Sequence, residues 1–244
     1  MSDTDKITIA GKSKNPLKVN RLGYGTMRLT GAGIYGEPPN RPEALQILKK
    51  AINSGINFID TADYYGEDVT NRLIAEALYP YPAGLVICSK VGGARKPDKS
   101  WITYNSPENL RTSVENNLRT LKIEQMPIVH FRVMPGSGVP FKESMDAVFN
   151  MQQEGKILHV GVSNVSAEEL EAAMALGNIV TVENMYGHTQ RTTSKTPYGE
   201  NSGGEEVLEI CEKNEIPLIP FFSLVTSMPK KDKRIAEIAQ KYNA

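Results

Sequence analysis

The chain has 244 residues, of which 40% are hydrophobic, and its 28 basic side chains balance its 28 acidic ones. This length and composition are typical of a globular protein with a substantial core, and we treat residues 1–244 as one domain. The balanced charge excludes a general attraction to nucleic acid or to an anionic membrane. No apolar run approaches the roughly 20 residues of a membrane span, and the polar N-terminus differs from a secretory signal. With two cysteines far apart in the sequence, we expect a cytoplasmic protein that is not a disulfide scaffold.

Short β-like runs alternate with helical patterns along the chain. Residues 6–9 and 18–20 are predicted to form a hairpin that plugs one end of the fold. The β-like runs that follow cover residues 21–27, 57–62, 85–90, 127–133, 159–163, 180–186 and 218–223. Strands that alternate with helices favour a parallel sheet, because a parallel neighbour is reached only by a crossover and helices serve as crossovers.

Apolar residues at helical spacing mark the helices between these runs. The helical patterns lie at residues 45–52, 110–121, 145–152, 170–174, 207–211 and 235–239. Ser106-Pro107 is typical of a helix start, and Ser166 with Glu169 fits a capping box. The polar stretch 188–206 is interpreted as a mobile loop near the site or as a plain linker. Four aromatic residues are predicted to lie in loops on the active face, where they line a carbonyl pocket or cover its rim: Tyr35, Tyr64, Trp101 and Tyr104.

The first β-like run favours a closed (β/α)8 barrel of the TIM type over an open, doubly wound sheet. Its GYG is followed by the long loop TMRLTGAGIYGEPP, whereas a dinucleotide-binding GxGxxG turn opens directly into a helix. A closed barrel has eight strands. We recognise about seven strand–helix units, and therefore predict a (β/α)8 barrel that is truncated before it closes.

Polar side chains lie at the ends of three successive predicted strands. Asp60 and Tyr65 follow the second strand. Lys90 ends the third strand, and His130 lies late in the fourth. Taken singly, each has a structural explanation: a helix cap, a rim aromatic, a surface cation and a buried core histidine. In a parallel barrel, however, the carboxyl ends of all strands meet at one face, where catalytic residues gather. The four positions therefore indicate one active site.

These residue types fit the reduction of a carbonyl group. A free phenol has a pKa of about 10, and a neighbouring ammonium lowers that value. Lys90 can act in this way on Tyr65, while Asp60 keeps the buried ammonium charged. His130 can donate a hydrogen bond to an incoming carbonyl oxygen, and Tyr65 can protonate the alkoxide that forms. The hydride has to come from a cofactor, because no side chain supplies one.

Several motifs, in this order, resemble the aldo-keto reductase family: GYGTMRLTG, NFIDTADYYG, VICSK, VHF, GKILHVGVSN and IPFFSL. The resemblance runs from Leu17 to the last residue. It implies a (β/α)8 barrel that reduces aldehydes and ketones with NADPH. It also implies that Asp60, Tyr65, Lys90 and His130 form the catalytic tetrad, with Tyr65 as the proton donor. The GTMRLTG segment favours the branch of the family that includes pyridoxal reductases.

The same resemblance implies a set of NADPH-binding residues. Ser163 and Asn164 match the pair that holds the nicotinamide carboxamide, and Phe221 matches an aromatic ring that stacks on the nicotinamide. The full set is Gly25, Thr26, Met27, Asp60, Ser163, Asn164, Glu183, Phe221, Ser223 and Leu224. No metal site is predicted, because the three histidines lack the spacing and the cysteine partners of a zinc site.

The chain departs from the family pattern at several positions. Glu183 stands where a glutamine is usual, Pro127 where a tyrosine is usual, and Phe131 where a basic residue often follows the histidine. From the resemblance, we expect residues 1–244 to contain no counterpart of the eighth segment, which holds the 2′-phosphate of NADP in the family.

Two hypotheses follow from these features. The first is an NADPH-dependent reductase of small or aromatic aldehydes and ketones, whose partner is a small carbonyl substrate and neither nucleic acid nor a membrane. The second is a non-catalytic reductase-like protein, or an inactive fragment, that acts through protein contacts. The intact tetrad favours the first, whereas Glu183 and the missing segment favour the second. The specific substrate, the choice between NADPH and NADH, and the oligomeric state are left open.

Overall fold

A hairpin covers one end of the fold. The computed structural model describes residues 6–136, 138–187, 191, 194–196, 199–201, 204–223 and 233–243. The hairpin consists of the antiparallel strands β1 (Lys6–Ile9) and β2 (Leu17–Asn20). Its buried residues Ile9 and Val19 pack against the amino-terminal ends of the strands that follow. The prediction of a hairpin that plugs one end is confirmed.

The main sheet is parallel and curls around a common interior. Its strands are β3 (Tyr24–Gly25), β4 (Phe58–Asp60), β5 (Val86–Arg95), β6 (Trp101–Tyr104), β7 (Met126–Arg132), β8 (Ile157–Ser163) and β9 (Ile179–Glu183). The order is β3-β4-β5-β7-β8-β9, and only β6 is antiparallel, as a partner of β5. Beyond β9, Leu218 and Phe221 form isolated parallel bridges with Val182 and Met185. The described part of the chain is therefore a parallel half-barrel, as the alternation of strands and helices predicts.

Two predictions of loops are wrong. Trp101 and Tyr104 lie in β6, which pairs with the part of β5 beyond Lys90. This hairpin is inserted between a strand and its crossover helix, so it does not belong to the alternation that the sequence pattern reveals. The stretch 188–206 carries a second hairpin, of β10 (Ser194–Thr196) and β11 (Gly199–Asn201).

Helices alternate with the strands along the chain. They are α1 (Arg41–Asn53), α2 (Val69–Leu78), α3 (Pro107–Leu121), α4 (Phe141–Gln153), α5 (Ala167–Leu176), α6 (Glu205–Lys213) and α7 (Lys233–Tyr242), with a 3-10 turn at Met27–Leu29. The predicted caps are present: Ser106 accepts a hydrogen bond from Asn109 N, and Ser166 and Glu169 form a capping box. Within the described residues, no helix combines the length and the apolar character that crossing a membrane requires.

The sequence pattern did not reveal α2. Seven of its residues are buried, and these include the polar side chains of Thr70 and Asn71. The helix therefore lacks the single apolar stripe by which an amphipathic helix is recognised.

Buried hydrogen bonds fasten α2 and α3 to the strands beneath the site. Thr61 Oγ1 bonds to Asn71 Oδ1 at 2.9 Å, and Asn71 Nδ2 donates to Asn117 Oδ1 at 2.9 Å. Ser89 Oγ donates to the same Asn117 oxygen at 2.6 Å. Because Thr61 and Ser89 adjoin Asp60 and Lys90, this network fixes the strand ends that carry the predicted catalytic residues.

Candidate active site

Lys90 is the centre of the predicted site. The prediction that Lys90 ends its strand is wrong, because β5 continues to Arg95, although its parallel pairing with β7 ends one residue after Lys90, at Val91. Lys90 is 1% exposed. Its ammonium donates a hydrogen bond to Asp60 Oδ1 and another, at 3.3 Å, to the Thr61 carbonyl oxygen. Asp60 is the last residue of the neighbouring strand β4. The structure thus brings together the lysine and the carboxylate that the sequence analysis paired.

A second carboxylate also binds Lys90. Glu183 ends β9, is 2% exposed, and places its Oε1 and Oε2 at 3.2 and 3.3 Å from Lys90 Nζ. Burial by itself lowers the pKa of Lys90, but Asp60 and Glu183 outweigh it and raise that pKa well above the ordinary value. Lys90 therefore remains charged despite its burial.

The two carboxylates differ in how strongly they hold their charge. Burial raises the pKa of Asp60 to about 6, and the negative charge of Glu183 acts in the same direction against Lys90. Burial also opposes ionisation of Glu183, but Lys90 and His130 outweigh it and lower its pKa to about 2. Both carboxylates serve as counter-ions of Lys90.

Tyr65 lies over Lys90 in the loop between β4 and α2. Its ring centroid is 5.3 Å from Lys90 Nζ, and the side chain is buried. Burial raises the pKa of the Tyr65 phenol above 10, although Lys90 lowers it, as expected from the sequence. Burial has the larger effect because it removes the phenol from water and so disfavours the charged phenolate. The phenol accordingly keeps its proton at neutral pH, which suits a proton donor.

His130 joins the cluster, but its ring faces protein groups. The side chain is fully buried, and Nε2 lies 2.7 Å from Thr181 Oγ1. Nδ1 lies 3.2 Å from Glu183 Oε2, close enough for a charge interaction but not aligned as a hydrogen bond. A Cβ atom added at Gly161 would come within 2.6 Å of Thr181 Oγ1 and 2.8 Å of His130 Nε2, so only glycine allows this approach. The predicted bond from His130 to a substrate oxygen stays a prediction.

The first of the predicted NADPH-binding residues lie next to Asp60. Gly25 on β3 is in register with Asp60. Thr26 donates from its backbone N and from Oγ1 to the Asp60 carbonyl oxygen, both at 2.9 Å. Met27 packs against the cluster that contains Tyr64 and Tyr65.

The other predicted NADPH-binding residues lie at or beyond the carboxyl ends of β8 and β9. Ser163 is in register with Glu183, and the Asn164 backbone N donates to the Glu183 carbonyl oxygen at 3.1 Å. Asn164 Nδ2 donates to the Val133 carbonyl oxygen, also at 3.1 Å. Phe221 is bridged to the same edge of the sheet. Of the remaining two members, Ser223 lies beside Gly187, and Leu224 lies outside the described residues.

The sequence analysis missed one charged residue of the site. Arg132, the last residue of β7, donates from Nη1 to Ser163 Oγ at 3.2 Å, and its guanidinium carbon lies 5.2 Å from the centroid of the Phe221 ring. Its position two residues after His130 places both side chains on one face of the strand. The spacing of two residues between His130 and Arg132 could have identified Arg132 from the sequence, whereas the sequence analysis considered only Phe131.

Among the described residues, only one cluster of side chains has the ligand types and the spacing that could hold a metal ion. Ligand atoms of Asp60, Cys88 and His130 lie within 4.8 Å of one another. Asp60 Oδ1 already accepts a bond from Lys90 and lies 3.3 Å from Cys88 Sγ. A neighbouring ammonium opposes the binding of a second cation, so the donor set is better suited to an ion-paired lysine than to a metal.

The polar groups at the carboxyl edge fit a nicotinamide cofactor. Amide and hydroxyl groups at the strand ends, an aromatic ring and a protonated phenol are the groups that would hold a carboxamide ring beside a reacting carbonyl. Residues 21–243 match the model of the aldo/keto reductase family. The chain belongs to the aldo-keto reductase family.

Comparison with known members of this family supports both the sequence motifs and the fold. The chain is 36% identical to pyridoxine 4-dehydrogenase of Escherichia coli over 231 residues, which cover 93% of this chain and 77% of that protein. A thermostable aldo-keto reductase in complex with the inhibitor epalrestat has a TM-score of 0.75 and 26% identity, over 98% of this chain and 81% of its own. A reductase from Klebsiella pneumoniae in complex with NADP and acetate has a TM-score of 0.69 and 20% identity, over 93% and 74%. The predicted family and barrel-type fold are confirmed.

Proposed function

We propose that this protein is an NADPH-dependent reductase that converts small or aromatic aldehydes and ketones into alcohols. The observation that carries the proposal is the position of Tyr65, whose ring centroid lies 5.3 Å from Nζ of the buried Lys90, the ion-pair partner of Asp60. A family of oxidoreductases and a neighbouring structure with bound NADP support it. A cytoplasmic location and a small carbonyl partner belong to the same proposal.

The side chains at the carboxyl edge would hold the cofactor and the substrate. Ser163 and Asn164 would bind the carboxamide of the nicotinamide, Phe221 would contact its ring, and Gly25 to Met27 would lie along it. When bound, NADPH supplies the hydride that reduces the carbonyl carbon. Tyr65 transfers its phenolic proton to the alkoxide oxygen. Lys90 stabilises the phenolate that remains, and solvent returns the proton to Tyr65.

The first substrates to test are aromatic aldehydes. Tyr64 and Trp101 stand edge to face with ring centroids 5.6 Å apart, next to Tyr65. Such rings provide an apolar wall for a flat substrate. Pyridoxal is the natural starting point because the relative from Escherichia coli is a pyridoxine 4-dehydrogenase.

Two measurements test the proposal. Fluorescence titration with NADPH and, separately, NADH should show saturable binding, and pyridoxal or benzaldehyde should then consume the bound dinucleotide. In the Tyr65→Phe variant we expect turnover to fall at least about 100-fold, because the general acid is lost. Its dinucleotide affinity should stay close to that of the parent protein.

Tyr79→Phe is the control, because it removes the hydroxyl of an exposed tyrosine at the end of α2 that has no predicted role in the site. A Tyr65→Phe protein that keeps most of its turnover would contradict the role of Tyr65. A folded chain that binds neither dinucleotide would contradict the whole proposal and favour a role through protein contacts.

A further inference from the structure

The hairpin of β5 and β6 extends beyond the carboxyl end of the parallel sheet. The parallel pairing of β5 with β7 ends at Val91, but β5 continues to Arg95. There it pairs with β6, and Trp101 is in register with Arg95. Because the carboxyl end of the sheet carries Lys90, the hairpin lies at the mouth of the proposed active site.

Arg95 binds both this hairpin and the long loop that follows β3. Its Nη1 donates to the Ile34 carbonyl oxygen at 3.0 Å, and its Nη2 donates to the Gly33 carbonyl oxygen at 2.9 Å. Nε and Nη2 also donate to the Lys99 carbonyl oxygen, in the turn of the hairpin, at 3.2 and 2.6 Å. One guanidinium thus ties two segments together through three backbone carbonyl groups, which requires the planar fork of arginine.

The loop after β3 has a strained backbone at the point where Arg95 holds it. Ile34 has a φ of +59°, in the left-handed region, where a β-branched residue is a rare exception. Such a conformation persists only where its surroundings fix it. The side chain of Ile34 packs against the cluster that contains Tyr64 and Tyr65. The bond from Arg95 to the Ile34 carbonyl group therefore helps to keep this side chain against the two tyrosines.

Trp101 connects Arg95 to the same tyrosines from the hairpin. The guanidinium carbon of Arg95 lies 4.1 Å from the centroid of the Trp101 ring. The rings of Trp101 and Tyr64 stand edge to face with centroids 5.6 Å apart, and those of Tyr64 and Tyr65 stand edge to face at 5.3 Å. Trp101 is 39% exposed, whereas both tyrosines are buried. Trp101 is therefore the ring of this row that keeps a surface for a ligand.

We propose that Arg95 is a positioning residue that gives the protein a preference for aromatic aldehydes. It holds the Trp101 ring through its face and the Ile34 carbonyl group through its N–H groups, so that both side chains form a fixed apolar wall near Tyr65. A flat substrate ring packs on this wall with its carbonyl group at Tyr65. A small aliphatic aldehyde reaches Tyr65 without using the wall. This inference rests on the proposed reductase function.

Turnover of benzaldehyde and of propanal by three variants tests the assignment. In Trp101→Ala, we expect the ratio of kcat/KM for benzaldehyde over propanal to fall about tenfold, because the aromatic contact is lost. In Arg95→Met, the ratio should fall about three- to tenfold, through KM and not through kcat, since the wall contacts ground state and transition state alike. Arg95→Lys should give an intermediate ratio, because it keeps a cation at the indole but loses the fork.

Two controls separate this role from a general structural one. Arg111→Met removes an exposed arginine of α3 that bonds to Glu154, and it should leave the selectivity ratio unchanged. In Arg95→Met, kcat/KM for propanal and the affinity for NADPH should stay within about threefold of the parent values, because Tyr65 and Lys90 are unchanged.

The fluorescence of Trp101 supplies a readout without turnover, because Trp101 is the single tryptophan of the chain. Benzaldehyde added to the NADP-loaded protein, in which no hydride is available, should quench this emission saturably. In Arg95→Met, the dissociation constant from this titration should rise about three- to tenfold. The anisotropy of the emission should fall in the same variant, because the ring is no longer held. Arg111→Met should match the parent protein in both measurements.

Three results would overturn the assignment. The first is a folded Arg95→Met protein whose selectivity ratio and benzaldehyde affinity both stay within about twofold of the parent values. The second is an equal loss of turnover with both aldehydes in Arg95→Met, which would indicate a general structural role. The third is a Trp101→Ala protein with an unchanged ratio, and this test holds even where Arg95→Met does not fold. Arg95→Lys then replaces it, and a parent-like ratio and benzaldehyde affinity in that variant would contradict the role of the fork.

The fluorescence titration also separates this inference from the proposed function. Quenching by benzaldehyde that depends on Arg95, in a protein without turnover, would support the aromatic wall but not the reductase. If the parent protein reduces propanal but its Trp101 emission does not respond to benzaldehyde, the reductase stands and the wall fails. If the parent protein neither reduces an aldehyde nor binds benzaldehyde, both fail.

Discussion

The two ends of the curled sheet are built from the same strands but carry opposite chemistry. At the amino-terminal end, the β1–β2 hairpin packs on buried apolar residues such as Phe58, Val86 and Ile128. At the carboxyl end, Lys90 and Glu183 are equally buried but charged.

This difference shows two ways in which a buried layer becomes stable. Burial stabilises the apolar end directly, by about 25 cal/mol for each Å² of apolar surface removed from water. At the charged end, burial penalises every ion, and the layer is stable only because opposite charges compensate. The two ends should therefore respond differently to mutation, pH and loss of a partner.

The largest effect is expected at the charged end. Lys90→Met removes the ammonium and leaves Asp60 and Glu183 as unpaired buried carboxylates. We expect the free energy of unfolding at pH 7 to fall by about 3–5 kcal/mol, the typical effect of breaking a buried ion pair. Urea denaturation measures this change. Lys142→Met, which removes a lysine that is 69% exposed, should change it by less than about 0.5 kcal/mol.

The pH dependence of the stability of the Lys90→Met protein shows whether lost charge or lost packing causes its destabilisation. The folded pKa of Glu183 is lowered from 4.5 to about 2, so its ion pair stabilises the parent protein above pH 4.5 and this stabilisation disappears as the pH falls towards 2. Without Lys90, protonation relieves the repulsion, and the difference between variant and parent should shrink at low pH. A difference that is independent of pH would indicate lost packing instead of lost charge.

A cavity at the apolar end should have a slightly smaller effect. Ile128→Ala removes a fully buried side chain that packs beneath the hairpin. We expect a loss of about 2–4 kcal/mol in urea denaturation, independent of pH, because no ionisable group is involved. Turnover of the folded protein should be retained. Ile47→Ala, at an exposed isoleucine of α1, is the control.

The smallest effect is expected at Asp63, a buried carboxyl group at the carboxyl end. Burial raises the pKa of Asp63 to about 7 from 3.8, and its Oδ1 has no hydrogen-bond partner among the described residues. Since the folded pKa is the higher one, the charge costs stability increasingly as the pH rises from 3.8 to 7. Asp63→Asn should therefore stabilise the protein by about 1–3 kcal/mol at pH 8 and by almost nothing at pH 4. Thermal unfolding at both pH values measures this, and a loss of stability at pH 8 would contradict it.

The fold could be predicted largely from local pattern. Hydrophobic periodicity depends only on neighbours in sequence, so it located the hairpin β1–β2 and the strands of the parallel sheet. It missed α2 because polar Thr70 and Asn71 are buried within a network that links α2 to α3. It missed β6 because that strand pairs outside the strand–helix alternation.

The site was predictable in its position but not in its contacts. Asp60, Tyr65 and Lys90 follow from the rule that catalytic residues gather at the carboxyl ends of parallel strands. The contact of Lys90 with Glu183 joins residues 93 positions apart, and no local pattern reports it. The family resemblance places Glu183 near the nicotinamide, whereas the structure directs both of its oxygens to Lys90.

By itself, the sequence determined the alternating parallel architecture, the family, and the strand ends at which the polar side chains lie. Only the tertiary structure decided which contacts these side chains make with one another. His130 reaches Thr181 across Gly161, a glycine on the intervening strand, and Arg132 lies one layer above it. The physical reason is that strand register sets both the level and the neighbours of each side chain. Register follows from the packing of the whole sheet and not from any single stretch of sequence.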